Sequence, residues 1–140
     1  MKYDEYMDKE CIELCDAINE IPFLVTDSSC CGHGKDTFDI WVKAKNLEGL
    51  YILARVIDRR YCGPVTEIWD KDRDRIKYLP WNLLVEDSDA TMGPVFHLQS
   101  SSKGDLAYEQ AKKIAQNIRH TLKHEACMKG WSAGWEEKRE

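Results

Sequence analysis

The chain has 140 residues, of which 43% are hydrophobic and 32% are charged, and its formal net charge is -5. This length fits one domain, and the acidic balance argues against a protein that coats DNA, which needs a basic surface. No apolar run of about 18 residues is present, and the acidic N-terminus is not followed by a signal-peptide core. We therefore expect a cytoplasmic protein with no membrane partner.

The six cysteines are expected to be reduced thiols, because no export signal accompanies them. The first predicted helix covers 3–19, and its apolar stripe contains Cys11 and Cys15, which we expect to be core residues. Ile21 precedes a proline and ends this helix, because the residue before proline disfavours helical backbone. A short strand is predicted over 23–26.

A polar stretch, 26–35, follows this strand and reads TDSSCCGHGK. Hydroxyl groups, permissive glycine backbone and a lysine can together form an anion-binding concavity. We therefore predict a loop that binds an anionic ligand; the alternative is a tight turn between strands that is rich in turn-forming residues. The predicted ligand-binding residues are Thr26, Ser28, Ser29, Cys30, Gly32, His33 and Lys35.

Alternation of apolar and polar residues predicts a half-buried strand over 38–44. Residues 50–57 are almost wholly apolar and predict a strand buried on both faces, which would form a hairpin with the preceding one. Residues 65–69 fit either a short strand or a helical turn, and 70–75 alternate in charge, as a solvated connection does. The same alternation predicts two further strands, over 81–86 and 95–99.

The longest helical pattern comes last, and a run of three serines, a lysine and a glycine precedes it at 100–104. The serines can cap this helix, and free N–H groups at a helix start can also bind phosphate. Ser102 and Lys103 are therefore candidate ligand-binding residues. If this stretch and 26–35 meet at one sheet edge, Arg59 and Arg60 would complete the same pocket.

The predicted fold class is α+β: a mainly antiparallel sheet with an N-terminal and a C-terminal helix packed on one face. A single domain is predicted over 1–127. Residues 128–140 are predicted to be a C-terminal tail that docks through Trp131 and Trp135, on this chain or on a partner. Large aromatics are numerous for so small a sheet, so we expect a second subunit to cover one face and the protein to be a homo-oligomer.

Two other kinds of site are alternatives to an anion site. Cys30 and His33 have a C-x-x-H spacing, and His120 and His124 lie one helical turn apart, so together they could hold a structural zinc. A cysteine beside His33 also suggests thiol catalysis, but the sequence identifies no third group to orient the histidine. The leading interpretation contains no catalytic residue, no metal and no cofactor.

Asn19 and the T-x-S-S-C-x-G pattern at 26–32 resemble the N-terminal motif of the wybutosine-synthesising tRNA methyltransferases of the TYW-three type. That family has arginine after the glycine, where this chain has His33. The variant S-C-x-G-H-G is similar to one found in small proteins of bacteriophages and prophages. The resemblance covers about the first quarter of the chain, and it implies a sheet with the loop at a ligand-facing edge.

The leading functional interpretation is a phage-type binding module, not an enzyme, that holds an anionic nucleotide-like ligand or an RNA end. In a host cell such a module would sequester a nucleotide signal used in defence. One alternative is an RNA-modifying enzyme of the tRNA methyltransferase type. Another is a protein–protein inhibitor of a host defence complex, which would use the tryptophans of the tail.

Overall fold

The computed structural model describes residues 7–58, 67–88 and 93–124. Its helices and strands, in chain order, are α1 (Lys9–Glu20), β1 (Leu24–Cys30), β2 (Thr37–Ala44), α2 (Leu47–Ile57), β3 (Glu67–Asp70), β4 (Arg75–Tyr78), β5 (Trp81–Ser88), β6 (Gly93–Lys103) and α3 (Gly104–Lys123). A short 3-10 turn, Gly32–Gly34, joins β1 to β2. None of the described helices has a stretch long and apolar enough to cross a bilayer.

The main sheet has four strands in the order β1-β2-β6-β5, and every neighbouring pair is antiparallel. The side chains of Phe38, Ile40 and Val42 on β2 are fully buried and share one core with the buried residues of all three helices. The predicted α+β fold, with the N-terminal and C-terminal helices packed on one face of an antiparallel sheet, is confirmed.

The opposite face of the sheet is not covered by any described helix, and we call it the open face. Alternation along the strands and the strand register place a set of polar and aromatic side chains there. These residues are Ser28 and Cys30 on β1, Asp39 and Trp41 on β2, His97 and Gln99 on β6, and Glu86 on β5.

The helices α1 and α3 pack against each other over the buried face of the sheet. Cys11 and Cys15 are fully buried in α1, which confirms that they are core residues. Arg119 of α3 ties the two helices at the surface through ion pairs with Glu13 and Glu20. Burial of each large apolar side chain in this layer contributes about 1.5–3 kcal/mol.

Residues 47–57 form a helix, so the strand predicted over 50–57 and its hairpin are wrong. The side chain of Asn46 caps this helix by accepting the N–H of Glu48 at 3.0 Å. Nearly every face of this helix is apolar, and most of its residues are buried. The buried residues are Glu48, Gly49, Leu50, Ile52, Leu53, Val56 and Ile57. An apolar run of this kind does not distinguish a buried strand from a buried helix.

Three further boundaries differ from the prediction. The strand β1 extends to Cys30, so the first half of the polar stretch is strand and only its second half is a turn. Residues 67–70 and 75–78 pair as a separate two-stranded hairpin, and 70–75 is largely its turn. The serines at 100–102 belong to β6 and do not cap α3, whose N-cap residue is Lys103. The predicted tail, 128–140, lies outside the described residues.

The contact between α2 and the start of β1 predicts that Gly49→Ala destabilises the protein. A Cβ at this position would lie 2.6 Å from the carbonyl oxygen of Pro22 and from the Cγ of Leu24. Helix propensity alone would make the substitution stabilising by about 1 kcal/mol. Overpacking reverses this sign, and we expect a loss of about 1 to 3 kcal/mol in urea unfolding.

Ala54→Gly, at an exposed position of the same helix, is the control, and it should lose about 1 kcal/mol through propensity alone. A Gly49→Ala variant as stable as the wild type would show that α2 does not approach β1 so closely.

Candidate functional site

The turn between β1 and β2 depends on Gly32. Its φ is +80°, and a Cβ there would lie 2.6 Å from the carbonyl oxygen of Thr37, so only glycine fits. His33 follows in the left-handed region as well, with φ 52°, where a residue with a side chain costs about 1 to 2 kcal/mol. The imidazole of His33 is 70% exposed. The turn therefore presents this histidine at the surface in a fixed backbone conformation.

A carboxylate, a thiol and an imidazole meet beneath this turn. Asp8, at the N-cap of α1, accepts the backbone N–H of Cys31 at 3.0 Å, and this hydrogen bond lowers the pKa of its carboxyl. The Cys31 Sγ lies 3.8 Å from Nδ1 of His33 and 3.7 Å from the hydroxyl of Tyr108. In the described part of the chain, Asp8, Cys31 and His33 are the only three metal-ligating residues grouped closely enough to share an ion.

The thiol of Cys31 does not have the environment of a nucleophile. Cys31 is almost fully buried, and desolvation raises the pKa of its thiol above the ordinary value. A raised pKa keeps the sulfur protonated at neutral pH, whereas nucleophilic cysteines have lowered values. The hydrogen bond that the Tyr108 hydroxyl donates to Cys31 Sγ raises the pKa of Tyr108 to about 12, so the phenol also stays protonated.

The zinc set suggested by the sequence is not assembled among the described residues. The Nε2 atoms of His120 and His124 lie 3.0 Å apart near the exposed end of α3. The β1–β2 turn packs at the start of that helix, where Gly34 contacts Gly104. A rise of about 1.5 Å per residue places His120 about 24 Å further along α3, which is too far to share an ion with the turn.

Three hydroxyls among the predicted ligand-binding residues form contacts inside the protein. The Thr26 hydroxyl accepts from the Asn19 amide at 2.9 Å and ties β1 to α1. Ser29 faces the helices, where its hydroxyl hydrogen-bonds with buried thiols of α1. Ser102 is buried and donates to Oε1 of Gln110.

Two lysines flank the place where the predicted loops meet, and we call Lys35 and Lys103 the lysine edge. A Cβ at Gly104 would lie 3.6 Å from the carbonyl oxygen of Gly34, so the two glycines are in contact and each lysine is the sequence neighbour of one of them. Both lysines are exposed, and neither has an ion-pair partner in the described part of the chain. Arg59 and Arg60 lie outside the described residues.

On the open face, His97 lies between two carboxylates. Its Nε2 is 2.7 Å from Oδ1 of Asp39, and its Nδ1 is 2.6 Å from Oε1 of Glu86. Both contacts are hydrogen bonds at once when each ring nitrogen carries a hydrogen. Trp41 stacks on the imidazole with ring centroids 4.5 Å apart, and its indole N–H donates to Glu86 at 3.1 Å. The histidine side chain is only 7% exposed, so this cluster is firmly held.

A cavity of about 250 Å³ borders this cluster on the open face. It is lined by Asp27, Ser28, Trp41, Glu86, Asp87 and Val95. Ser28 is the predicted ligand-binding residue that lies in this cavity, and Cys30 lies further along β1 on the same face. The three carboxylates make the cavity unsuited to phosphate, and they suit groups that donate N–H bonds.

Five residues of the site were not predicted from the sequence: Asp8, Asp39, Trp41, Glu86 and His97. The alternation along β2 already placed Asp39 and Trp41 on the face opposite the apolar side chains. Recognising the cluster also requires the register that sets Trp41 opposite His97, and no single segment contains that information. Asp8 could have been found only as a helix N-cap.

No protein family, curated protein or solved structure matches this chain. The resemblance to the TYW-three-type methyltransferases and to phage proteins therefore stays a prediction.

The hydrogen bonds at Glu86 predict that Glu86→Gln has a pH-dependent effect on stability. Donation from His97, and then from Trp41, lowers the pKa of Glu86 below its usual 4.5. A lowered folded-state pKa means that the carboxylate stabilises the fold above this pH, and that the contribution is lost as the pH falls through the folded-state pKa. We expect a lower urea midpoint for the variant than for the wild type at pH 7, and convergence of the two midpoints in acid.

Asp87→Asn, at an exposed neighbour on the same strand, is the control, and its midpoint at pH 7 should stay close to that of the wild type. A Glu86→Gln difference that does not change between neutral and acidic pH would contradict the hydrogen-bonding role of Glu86.

Proposed function

We propose that this protein binds the single-stranded end of an RNA, or a related nucleotide-like anion, along the lysine edge and the open face, and that it acts as a binding module. The observation that carries the proposal is the contact between Gly34 and Gly104. Lys35 and Lys103 are the sequence neighbours of these two glycines, so both residues lie near the start of α3.

The lysine edge suits phosphate groups. Free N–H groups and the dipole at the start of a long helix favour an anion, and α3 has 20 residues with no side-chain cap at Lys103. Lys35 adds a second ammonium group with no ion-pair partner among the described residues. The carboxylates of Asp36 and Asp105 are close in sequence and oppose a long polyanion, so we expect contacts with one or two phosphates.

The open face suits a base at some distance from those phosphates. Thr37 pairs with Lys103, and Trp41 lies four residues further along β2, which is about 13 Å in an extended strand. A nucleoside monophosphate is shorter than this separation, whereas an RNA end of a few nucleotides spans it. Unpaired bases are typically recognised by aromatic stacking and by hydrogen bonds to their edges, and Trp41 and Glu86 offer both.

The proposal predicts that the Lys35→Ala/Lys103→Ala double variant binds single-stranded RNA about tenfold more weakly than the wild type. Because two phosphate contacts are removed, the slope of log affinity against log salt should fall by about 1.4. Fluorescence anisotropy with a short labelled RNA carrying a terminal phosphate measures both quantities. Trp41→Ala should also weaken binding, without a change in the salt slope.

The control is Lys112→Ala/Lys123→Ala, which removes two exposed lysines of α3 away from the site and should bind like the wild type. If a nucleoside monophosphate competes as well as the RNA does, the ligand is a mononucleotide and not an RNA end. Equal losses in the two double variants, or no binding at all, would overturn the proposal.

The phage setting adds a biological hypothesis to this binding function. The resemblance of the S-C-x-G-H-G turn suggests a viral module in the host cytoplasm that sequesters a nucleotide signal or blocks a host defence protein. A homo-oligomer, in which a second subunit covers part of the open face, is compatible with the exposed Leu84 and the half-buried Trp41 on that face. These hypotheses come from the sequence.

An RNA-modifying enzyme is the second candidate, and one observation favours it. His97 sits between two carboxylates, and the outer one, Glu86, also lines the cavity. A positioned imidazole coupled to carboxylates is an arrangement that general acid–base catalysis uses.

The resemblance to tRNA methyltransferases implies a methyl-donor cofactor for this alternative. If the protein is a binding module, a calorimetric titration of the full chain with S-adenosylmethionine should show no heat of binding. Saturable heat, together with methylation of a bound RNA that Glu86→Gln slows, would favour the enzyme instead.

A further inference from the structure

We propose that Asp8, Cys31 and His33 form a binding site for a thiophilic divalent cation of the Zn²⁺ class. This site differs from the Cys30, His33, His120 and His124 set that the sequence suggested. It does not depend on the proposed RNA binding, because it uses neither the lysine edge nor the open face.

The chemistry of the three side chains fits such a cation. A thiolate, an imidazole and a carboxylate are the three donor types that Zn²⁺ accepts, and sites with three protein ligands leave a fourth position for water or substrate. The thiolate selects against Mg²⁺ and Ca²⁺, which prefer oxygen donors. On binding, the Cys31 thiol releases its proton to solvent and the sulfur takes the cation in its place.

The distances between the donor atoms are close to those that a tetrahedral ion requires. Cys31 Sγ lies 3.8 Å from a ring nitrogen of His33, and the other ring nitrogen lies 3.9 Å from Oδ2 of Asp8. One donor atom from each residue falls within 4.8 Å of the other two. Zinc bond lengths place neighbouring donors about 3.5 Å apart, so a rotation of the His33 ring and a contraction of at most about 1.3 Å between donors complete the site.

The surrounding contacts hold the donors in place before a cation arrives. The Asp8 carboxylate is fixed by the N–H of Cys31, and the close approach of Gly32 to Thr37 fixes the turn. The Tyr108 hydroxyl contacts Cys31 Sγ from α3, as outer partners of metal ligands commonly do. The imidazole of His33 is 70% exposed and gives a cation access from solvent.

Addition of Co²⁺ to the reduced full chain tests the proposal, because thiolate ligation gives a near-ultraviolet charge-transfer band that histidine and carboxylate ligands do not. We expect one equivalent of Co²⁺ to produce this band, with the strong visible absorption of a tetrahedral ion, and Zn²⁺ to abolish both. Cys31→Ser should remove the band, and His33→Ala and Asp8→Asn should each weaken Co²⁺ binding about tenfold or more.

Two variants serve as matched controls. Cys30→Ser removes the neighbouring thiol, which accepts from the Gly32 N–H and pairs in register with Asp39 on the open face, and it should keep the band. His120→Ala/His124→Ala removes the exposed histidine pair of α3 and should also keep it. His33→Ala is informative even if Cys31→Ser fails to fold, because its side chain is mostly exposed.

The absence of a charge-transfer band in the wild type would overturn the proposal. So would a band that survives in His33→Ala with unchanged affinity, or one that is lost in Cys30→Ser. Loss of the band in the His120→Ala/His124→Ala variant would also overturn it, because the cation would then be held by the histidines near the end of α3.

Discussion

The close approach of Gly32 to the backbone of Thr37 is the constraint on which the site depends. A Cβ at Gly32 would lie only 2.6 Å from the carbonyl oxygen of Thr37. Only glycine therefore allows the chain to reverse within these few residues. The reversal has two consequences. It sets Cys31 and His33 above the N-cap of α1, where Asp8 accepts a backbone N–H, and it sets Gly34 against the start of α3. The starts of α1 and α3, which are distant in sequence, therefore both lie against this polar turn.

The strand part of the polar stretch at 26–35 is divided between the two faces of the sheet. Thr26 pairs with Val42 and Ser29 pairs with Ile40, so their hydroxyls face the helices, whereas Ser28 and Cys30 face the open side. A register shift at the residue between Thr26 and Ser28 sets this alternation. A run that looks like a single loop in the sequence therefore supplies groups that contact the helices on one face of the sheet and groups that lie on the open face on the other.

The sequence predicts the parts of the fold in which one periodicity decides the structure. The stripes of α1 and α3 and the alternation of β2 have clear periods, and these elements are present, although α1 begins at Lys9 and residues 7 and 8 of the predicted helix are not helical. The sequence predicts a strand in place of α2 because the exposed positions of this helix, Leu47, Tyr51 and Ala54, carry no charge, so no polar face reveals the helical period. The open-face cluster could not be predicted, because His97 meets Asp39 and Glu86 only through the pairing of three strands. The group of Asp8, Cys31 and His33 likewise joins a helix N-cap to a turn that begins 23 residues later.

The separation of charge along the open face constrains how any ligand lies on it. Lys35 and Lys103 lie at one end, beside the start of α3, and the carboxylates of Asp27, Glu86 and Asp87 line the cavity toward the other, where Lys43 pairs with Asp27 at 3.2 Å. Phosphates gain free energy at the first end and lose it at the second, while N–H donors have the reverse preference. If the proposed ligand carries both kinds of group, we therefore expect it to bind in one orientation. Hydrogen bonds from His97 and Trp41 keep Glu86 ionised, so this polarity persists wherever the cluster is intact.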